Sequence, residues 1–281
     1  MAEQLEPRLL LTVSSALNHF LVSGNEPIAA ATGIVDSDPT IDLLAISADG
    51  QMLVALNGGN DAWANSSLID LGTGPLNGFT AGRINTDPFL DFVAQGDSEL
   101  QVFHGDGTGG FSRTQTLNSP MGTSFATNDG RPVQMTLAPI NSDVTADLLT
   151  VSPDTNELLY YFGQPDGSFA DAARYDSGRT SPVATIVGQF IGDLRPDVAV
   201  GHADGSITFF ESDGQQLLFR SDLTIHGLGS IHDLAALDAD RDGDLDLVVS
   251  GGTRMSSHPM ERQSIPAAPA ISATMILAPS C

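Results

Sequence analysis

One short pattern returns five times along this chain and limits the folds open to it. An Asp followed by an apolar run stands at Asp42 ("DLLAIS"), Asp91 ("DFVAQG"), Asp147 ("DLLTVS"), Asp197 ("DVAVGH") and Asp246 ("DLVVSG"), at intervals of 49, 56, 50 and 49 residues. Four residues before each comes another Asp: Asp38, Asp87, Asp143, Asp193 and Asp242. Two further back the residue is Asp36, Asn85, Asn141, Ile191 or Asp240, so four of the five copies carry a side-chain oxygen there. A near-constant period of this length marks a repeat architecture, in which each repeat buries its apolar face only against its neighbours.

Within each period, short apolar runs alternate with turn residues, as in "GQMLVALNGGND", "SELQVFHGDGTGGF", "TNELLYYFGQPDGSF" and "GSITFFESDGQQLLF". Runs rich in Val, Leu, Phe and Tyr, punctuated by Gly, Asp and Asn, read as strands joined by tight turns. Helical periodicity is nowhere sustained. The acids agree: of 35, only 7 are Glu and 28 are Asp, and Asp favours turns, caps and hard-cation loops where Glu favours helices. Roughly four strands per ~50 residues is the spacing of a β-propeller blade. The expected fold is all-β, a propeller of about five four-stranded blades, either incomplete or closed by an N-terminal strand.

Eleven basic residues, all of them Arg, against 35 acids give a formal net charge of −24. Phosphate binding needs a basic patch, so a nucleic-acid partner is not expected. No apolar run approaches the ~18 residues of a membrane span. The single cysteine, Cys281, allows neither an internal disulfide nor a zinc cluster. Glu3 and Glu6 stand where a secretory signal carries positive charge, so no standard signal peptide is read and composition leaves the compartment open.

The segments "DADRDGDLDLVVSG" and "LQVFHGDGTGGF" resemble the FG-GAP and VCBS repeats of integrin-type β-propellers, whose blades carry a D-x-D-x-D-G-x-x-D calcium loop. The resemblance covers residues 24–252. "LEPRLLL", residues 5–11, is similar to the LEPR-x-LL segment near the N-terminus of large bacterial surface or secreted proteins. The resemblance implies a calcium-binding, non-catalytic repeat module at the cell surface or outside the cell, binding or adhering to a protein or glycan. The propeller portion of a carbohydrate-active enzyme such as a lyase, and a structural fragment of a larger surface protein, are the alternatives. The chain divides into an N-terminal segment (1–23) with a possible closing strand, propeller repeats (24–253), and a low-complexity or disordered tail (254–281) that has neither Gly nor Asp.

Calcium takes six to eight oxygens, and alternate residues of a tight loop can aim their side chains at one centre. With the loop positions numbered one to nine, the fifth copy supplies Asp238, Asp240, Asp242, Asp244 (through its carbonyl) and Asp246, with Gly243 at the turn. The position-twelve acid of an EF-hand is absent, since Val249 stands there. The first loop keeps Asp36, Asp38 and Asp42, and the third keeps Asn141, Asp143 and Asp147. Both lack the position-one carboxylate (Ile34, Pro139) and the turn glycine (Pro39, Val144). The second and fourth, with Arg83, Pro88, Gln189, Ile191, Leu194 and Arg195, are expected to be empty. For loops one to four the competing reading is that Asp holds the turn by accepting backbone N–H bonds.

Other motifs read as structural. "GDGTGG" (105–110) fits G-x-G-x-x-G, but a strand-like run follows where a dinucleotide site needs a helix, so it is expected to be a hairpin turn. His202 and His232 are read as turn or surface residues. Trp63, Tyr160 and Tyr161 are read as blade core or rim.

Overall fold

Each apolar run pairs with its sequence neighbour, because a tight Gly- or Asp-containing turn returns the chain antiparallel to itself. The computed structural model describes residues 27–59, 65–96, 98–118, 125, 133–191, 195–238, 245–252, 263–264 and 274–279. These form five four-stranded sheets. The first is β1 (Pro27–Gly33), β2 (Asp42–Ser47), β3 (Gln51–Leu56) and β4 (Asn65–Asp70); the second is β5 (Gly78–Gly82), β6 (Asp91–Gln95), β7 (Glu99–Gly105) and β8 (Phe111–Asn118). The third is β9 (Thr136–Ala138), β10 (Asp147–Ser152), β11 (Glu157–Tyr161) and β12 (Ala173–Asp176). The fourth is β13 (Pro182–Gly188), β14 (Asp197–His202), β15 (Ile207–Ser212) and β16 (Leu217–Phe219). All four are antiparallel meanders in chain order.

The described residues up to Asn118, with Pro165–Ser168, form one compact unit, and the others a second. In the first unit Phe92 is the centre of the core, stacked on Phe103 with ring centroids 4.7 Å apart and edge-on to Phe111 at 5.1 Å. Leu44, Ile46, Met52 and Val54 belong to the same cluster. The second unit packs Phe190, Phe209, Ile207, Leu234 and Leu247 together. Second strands are buried along their whole length (β2, β10 and β14), whereas β1 alternates between half-buried and exposed positions. Central strands covered on both faces read as continuous apolar runs, which explains why "DLLAIS" and "DLLTVS" lack polar alternation.

The fifth sheet is built differently. β17 (Ser230–Leu237) and β18 (Asp246–Gly252) are antiparallel, but the remaining two strands, β19 (Gln263–Ser264) and β20 (Thr274–Pro279), come from the segment read as tail. β20 runs parallel to β18, pairing Leu247 with Met275 through Gly251 with Pro279. A parallel neighbour needs a long connection rather than a tight hairpin turn. The closing strand expected within residues 1–23 and the LEPR segment lie outside the described residues.

Candidate functional site: the aspartate loops

Each loop joins the first strand of its sheet to the second. At position nine, the first residue of the second strand, the Asp is buried in all five copies: Asp42, Asp91, Asp147 and Asp197 are 0% exposed and Asp246 2%. Buried carboxylates need partners, and the loop backbone supplies them. Asp42 accepts from the amides of Val35 (2.8 Å) and Asn57 (2.8 Å), one on each oxygen. Asp91 accepts from Ile84 (2.9 Å), Asn85 (3.1 Å) and Gly105 (3.0 Å). Asp147 accepts from Ile140 (3.1 Å), Gly163 (2.8 Å) and the Tyr160 hydroxyl (2.8 Å), and Asp197 from Phe190 (3.0 Å) and Ile191 (2.8 Å).

Positions three and five form a ladder above this staple. Asp36 Oδ1 accepts from the Asp38 amide and Asp38 Oδ1 from the Thr40 amide, both at 2.9 Å. Asn85 and Asp87 repeat it toward Asp87 (2.8 Å) and Phe89 (2.9 Å), and Asn141 and Asp143 toward Asp143 (2.8 Å) and Thr145 (2.9 Å). The Thr40 hydroxyl and amide hold the Asp38 carboxyl below its usual range.

At the first and third loops, then, Asp36, Asp38, Asp42, Asn141, Asp143 and Asp147 turn oxygens toward their own backbone. Among the described residues no three His, Cys, Asp or Glu side chains come together to hold a metal. Nor do Pro39 and Val144 make the left-handed turn that Gly permits; outside Gly, only Asn156 and Ser181 are left-handed among the described residues. In the fifth loop Asp238 is exposed and Asp246 buried, while Asp240, Asp242 and Asp244 lie outside the described residues.

Sequence reasoning missed the third partner of the staple, which arrives from the end of the third strand. Gly105 and Gly163 occupy that place because a Cβ there would stand 2.5 Å from the Leu90 carbonyl oxygen and 2.1 Å from that of Ala146. A Gly one or three residues before the Asp-Gly pair, as at Gly105 and Gly163, was the available signal. It also missed Tyr160 as a donor, although the core reading is right: Tyr160 is 1% exposed. Burial drives the Asp147 carboxyl above its usual range, against the pull of its donors.

His202 departs from the turn-or-surface reading. It is fully buried at the end of β14, with Nε2 2.9 Å from Thr208 Oγ1, and burial lowers its pKa to about 4. The motif at 105–110 is a hairpin turn: Asp106 Oδ1 accepts from the amides of Thr108 (2.8 Å) and Gly110 (3.0 Å). Trp63 lies outside the described residues.

The second unit also holds an open polar cavity of about 530 Å³, lined by Thr155, Asn156, Glu157, Asp176, Gly178, Arg179, Thr180 and Asp204. Arg179 reaches His226 at 3.1 Å.

Residues 189–249 match the FG-GAP-like repeat family. No curated protein matches the chain. It is similar to a crystal structure of BBS1N in complex with ARL6DN, soaked with lead, with a TM-score of 0.54 and 13% identity over 81% of this chain and 62% of that one. A crystal of the same complex soaked with mercury gives a TM-score of 0.54 and 13% identity over 90% of this chain and 74% of that one. The chain therefore spans less than two thirds of the first of these structures. At such identity the likeness establishes the fold alone, and that fold is of the β-propeller type. Among the described residues no helix is long and apolar enough to cross a membrane.

Proposed function

Because the chain carries an FG-GAP-like repeat in a propeller-type fold, we propose that it is a calcium-binding, non-catalytic binding or adhesion module that works outside the cell or at its surface. The observation that carries this reading is the family match over 189–249, which contains the whole loop at 238–246. The donor set fits a hard cation: Asp238, Asp240, Asp242 and Asp246 offer carboxylates, Asp244 a carbonyl, and Gly243 the turn residue that the other copies lack. Calcium bound there would offset the repulsion of five acids in nine residues and link ion binding to stability.

A protein partner is favoured over a glycan. The similar BBS1N structure is of a complex with another protein, ARL6DN. Calorimetric titration should find one dominant calcium site that Asp242→Ala removes; unchanged binding in that variant would sink the calcium assignment. Pull-downs on immobilised protein and on glycan arrays, with and without chelator, address the partner.

A further inference from the structure

The aspartate loops do more than hold themselves together. In the first unit Asp36, at position three of loop one, bridges to the backbone of Gly107 and Thr108 in the Asp-Gly turn after β7. In the same unit Gly167, of the Asp166–Gly167 turn, lies beside loop two: a Cβ on it would stand 2.8 Å from Asn85 Cβ, while its carbonyl is 3.0 Å from Nε2 of His104 on β7. In the second unit the Gly214 carbonyl, in the turn after β15, accepts from both the amide (3.1 Å) and the hydroxyl (3.2 Å) of Ser142, at position four of loop three.

The three turns share one construction. Asp106, Asp166 and Asp213 each cap the amide two residues on, at 2.8, 3.0 and 2.9 Å. The glycine between is left-handed in every case, with φ of 74°, 82° and 89°. Such a turn presents the glycine backbone outward with no side chain to obstruct it.

We infer that the first three aspartate loops are receptors for Asp-Gly turns: position three or four of each loop meets the glycine of a turn from outside its own sheet, and in loops one and three it bonds to the turn's backbone. This contact needs no cation, and it stands apart from the calcium reading of loop five. It also gives a reason why loops one to three carry Asp or Asn at positions three and five without a carboxylate at position one. Those residues shape a surface whose ligand is a peptide backbone.

Gly214 and Gly227 provide a matched pair for the test. Both are left-handed, at 89° and 87°; a Cβ on Gly214 would stand 2.4 Å from Ser142 Oγ, whereas one on Gly227 meets nothing within 4 Å. Gly214→Ala, Gly227→Ala, Ser142→Ala and the Ser142→Ala/Gly214→Ala double variant of the full chain would be melted in excess calcium and in chelator. Gly214→Ala is expected to lower the midpoint by at least about 2 °C more than Gly227→Ala. That excess should shrink in the Ser142→Ala background and be equal in calcium and chelator. Equal losses at 214 and 227, or strict additivity with Ser142→Ala, would overturn the inference. So would an excess that calcium abolishes, since loop three would then be a cation site. Should Gly214→Ala not fold, hydrogen exchange of Ser142→Ala decides: faster exchange around 212–216 supports the receptor reading, and unchanged exchange refutes it.

Discussion

Tyr160 donates its hydroxyl to Asp147, with 2.8 Å between Oη and Oδ2, inside a sheet where neither side chain meets solvent appreciably. The bond ties β11 to the start of β10 and adds a side-chain donor to an oxygen that already holds the Ile140 amide. Burial and the adjacent carboxylate raise the Tyr160 pKa, so the hydroxyl keeps its proton.

Tyr160→Phe should therefore destabilise the protein by about 1.5–3 kcal/mol at neutral pH, the range for a hydrogen bond to a charged group. The deficit should narrow on acidification. Burial raises the folded-state pKa of Asp147 above its unfolded value, so the folded protein takes the proton first and the ionised form stabilises it less. Urea denaturation at neutral and acid pH reads both effects; a deficit that grows as pH falls would contradict them.

Asp91 holds three backbone amides, those of Ile84, Asn85 and Gly105. Asp91→Ala leaves these donors without their acceptor, at about 1–3 kcal/mol for each buried group. A loss of at least about 3 kcal/mol is expected, the same in calcium and chelator. Asp91→Asn, which keeps one acceptor oxygen, should lose less. Guanidinium unfolding followed by far-UV dichroism gives both values.

His202 supplies a pH dependence of the opposite sense to that of Asp147. Burial depresses its folded-state pKa to about 4, below an unfolded value near 6.5. Its stabilisation is complete above about pH 6.5 and is lost as pH falls through the window down to about 4, because the unfolded chain binds the proton first. The loss over that window is on the order of 3 kcal/mol. His202→Gln, although less stable at pH 7, should show a flatter stability profile between those limits; an unchanged slope would exclude His202 as its source.

Calcium should raise the melting temperature through loop five. At a free concentration of about 100 times Kd the stabilisation is about 2.7 kcal/mol, and Asp242→Ala should abolish the shift while Asp143→Ala leaves it intact. Scanning calorimetry over a calcium series distinguishes the two loops. If both variants lose the shift equally, the cation is not confined to loop five.

Much of this architecture was legible because it depends on periodicity. The recurring Asp and the apolar runs that follow mark where second strands begin, as at Asp42, Asp147 and Asp197, since central strands buried on both faces must be apolar throughout. The Asp-Gly turns were legible for a local reason: Asp caps an amide two residues away and Gly takes positive φ, whatever lies around them. The fifth sheet was not legible past β18. Its β20 pairs in parallel across a long connection, and strand pairing at that separation leaves no local mark in the sequence.

The sequence by itself determined the repeat, the strand-and-turn alphabet and the single loop with a full set of carboxylates. Tertiary structure alone decided what the carboxylates of the other loops bind. Asp42, Asp91 and Asp147 have the composition of cation ligands, yet their oxygens meet the amides of Asn57, Gly105 and Gly163, brought back from 14 to 16 residues further along by the third strand of each sheet. An oxygen's partner is set by which donor the fold delivers to it once water is gone, and a buried carboxylate takes whichever amide or cation arrives.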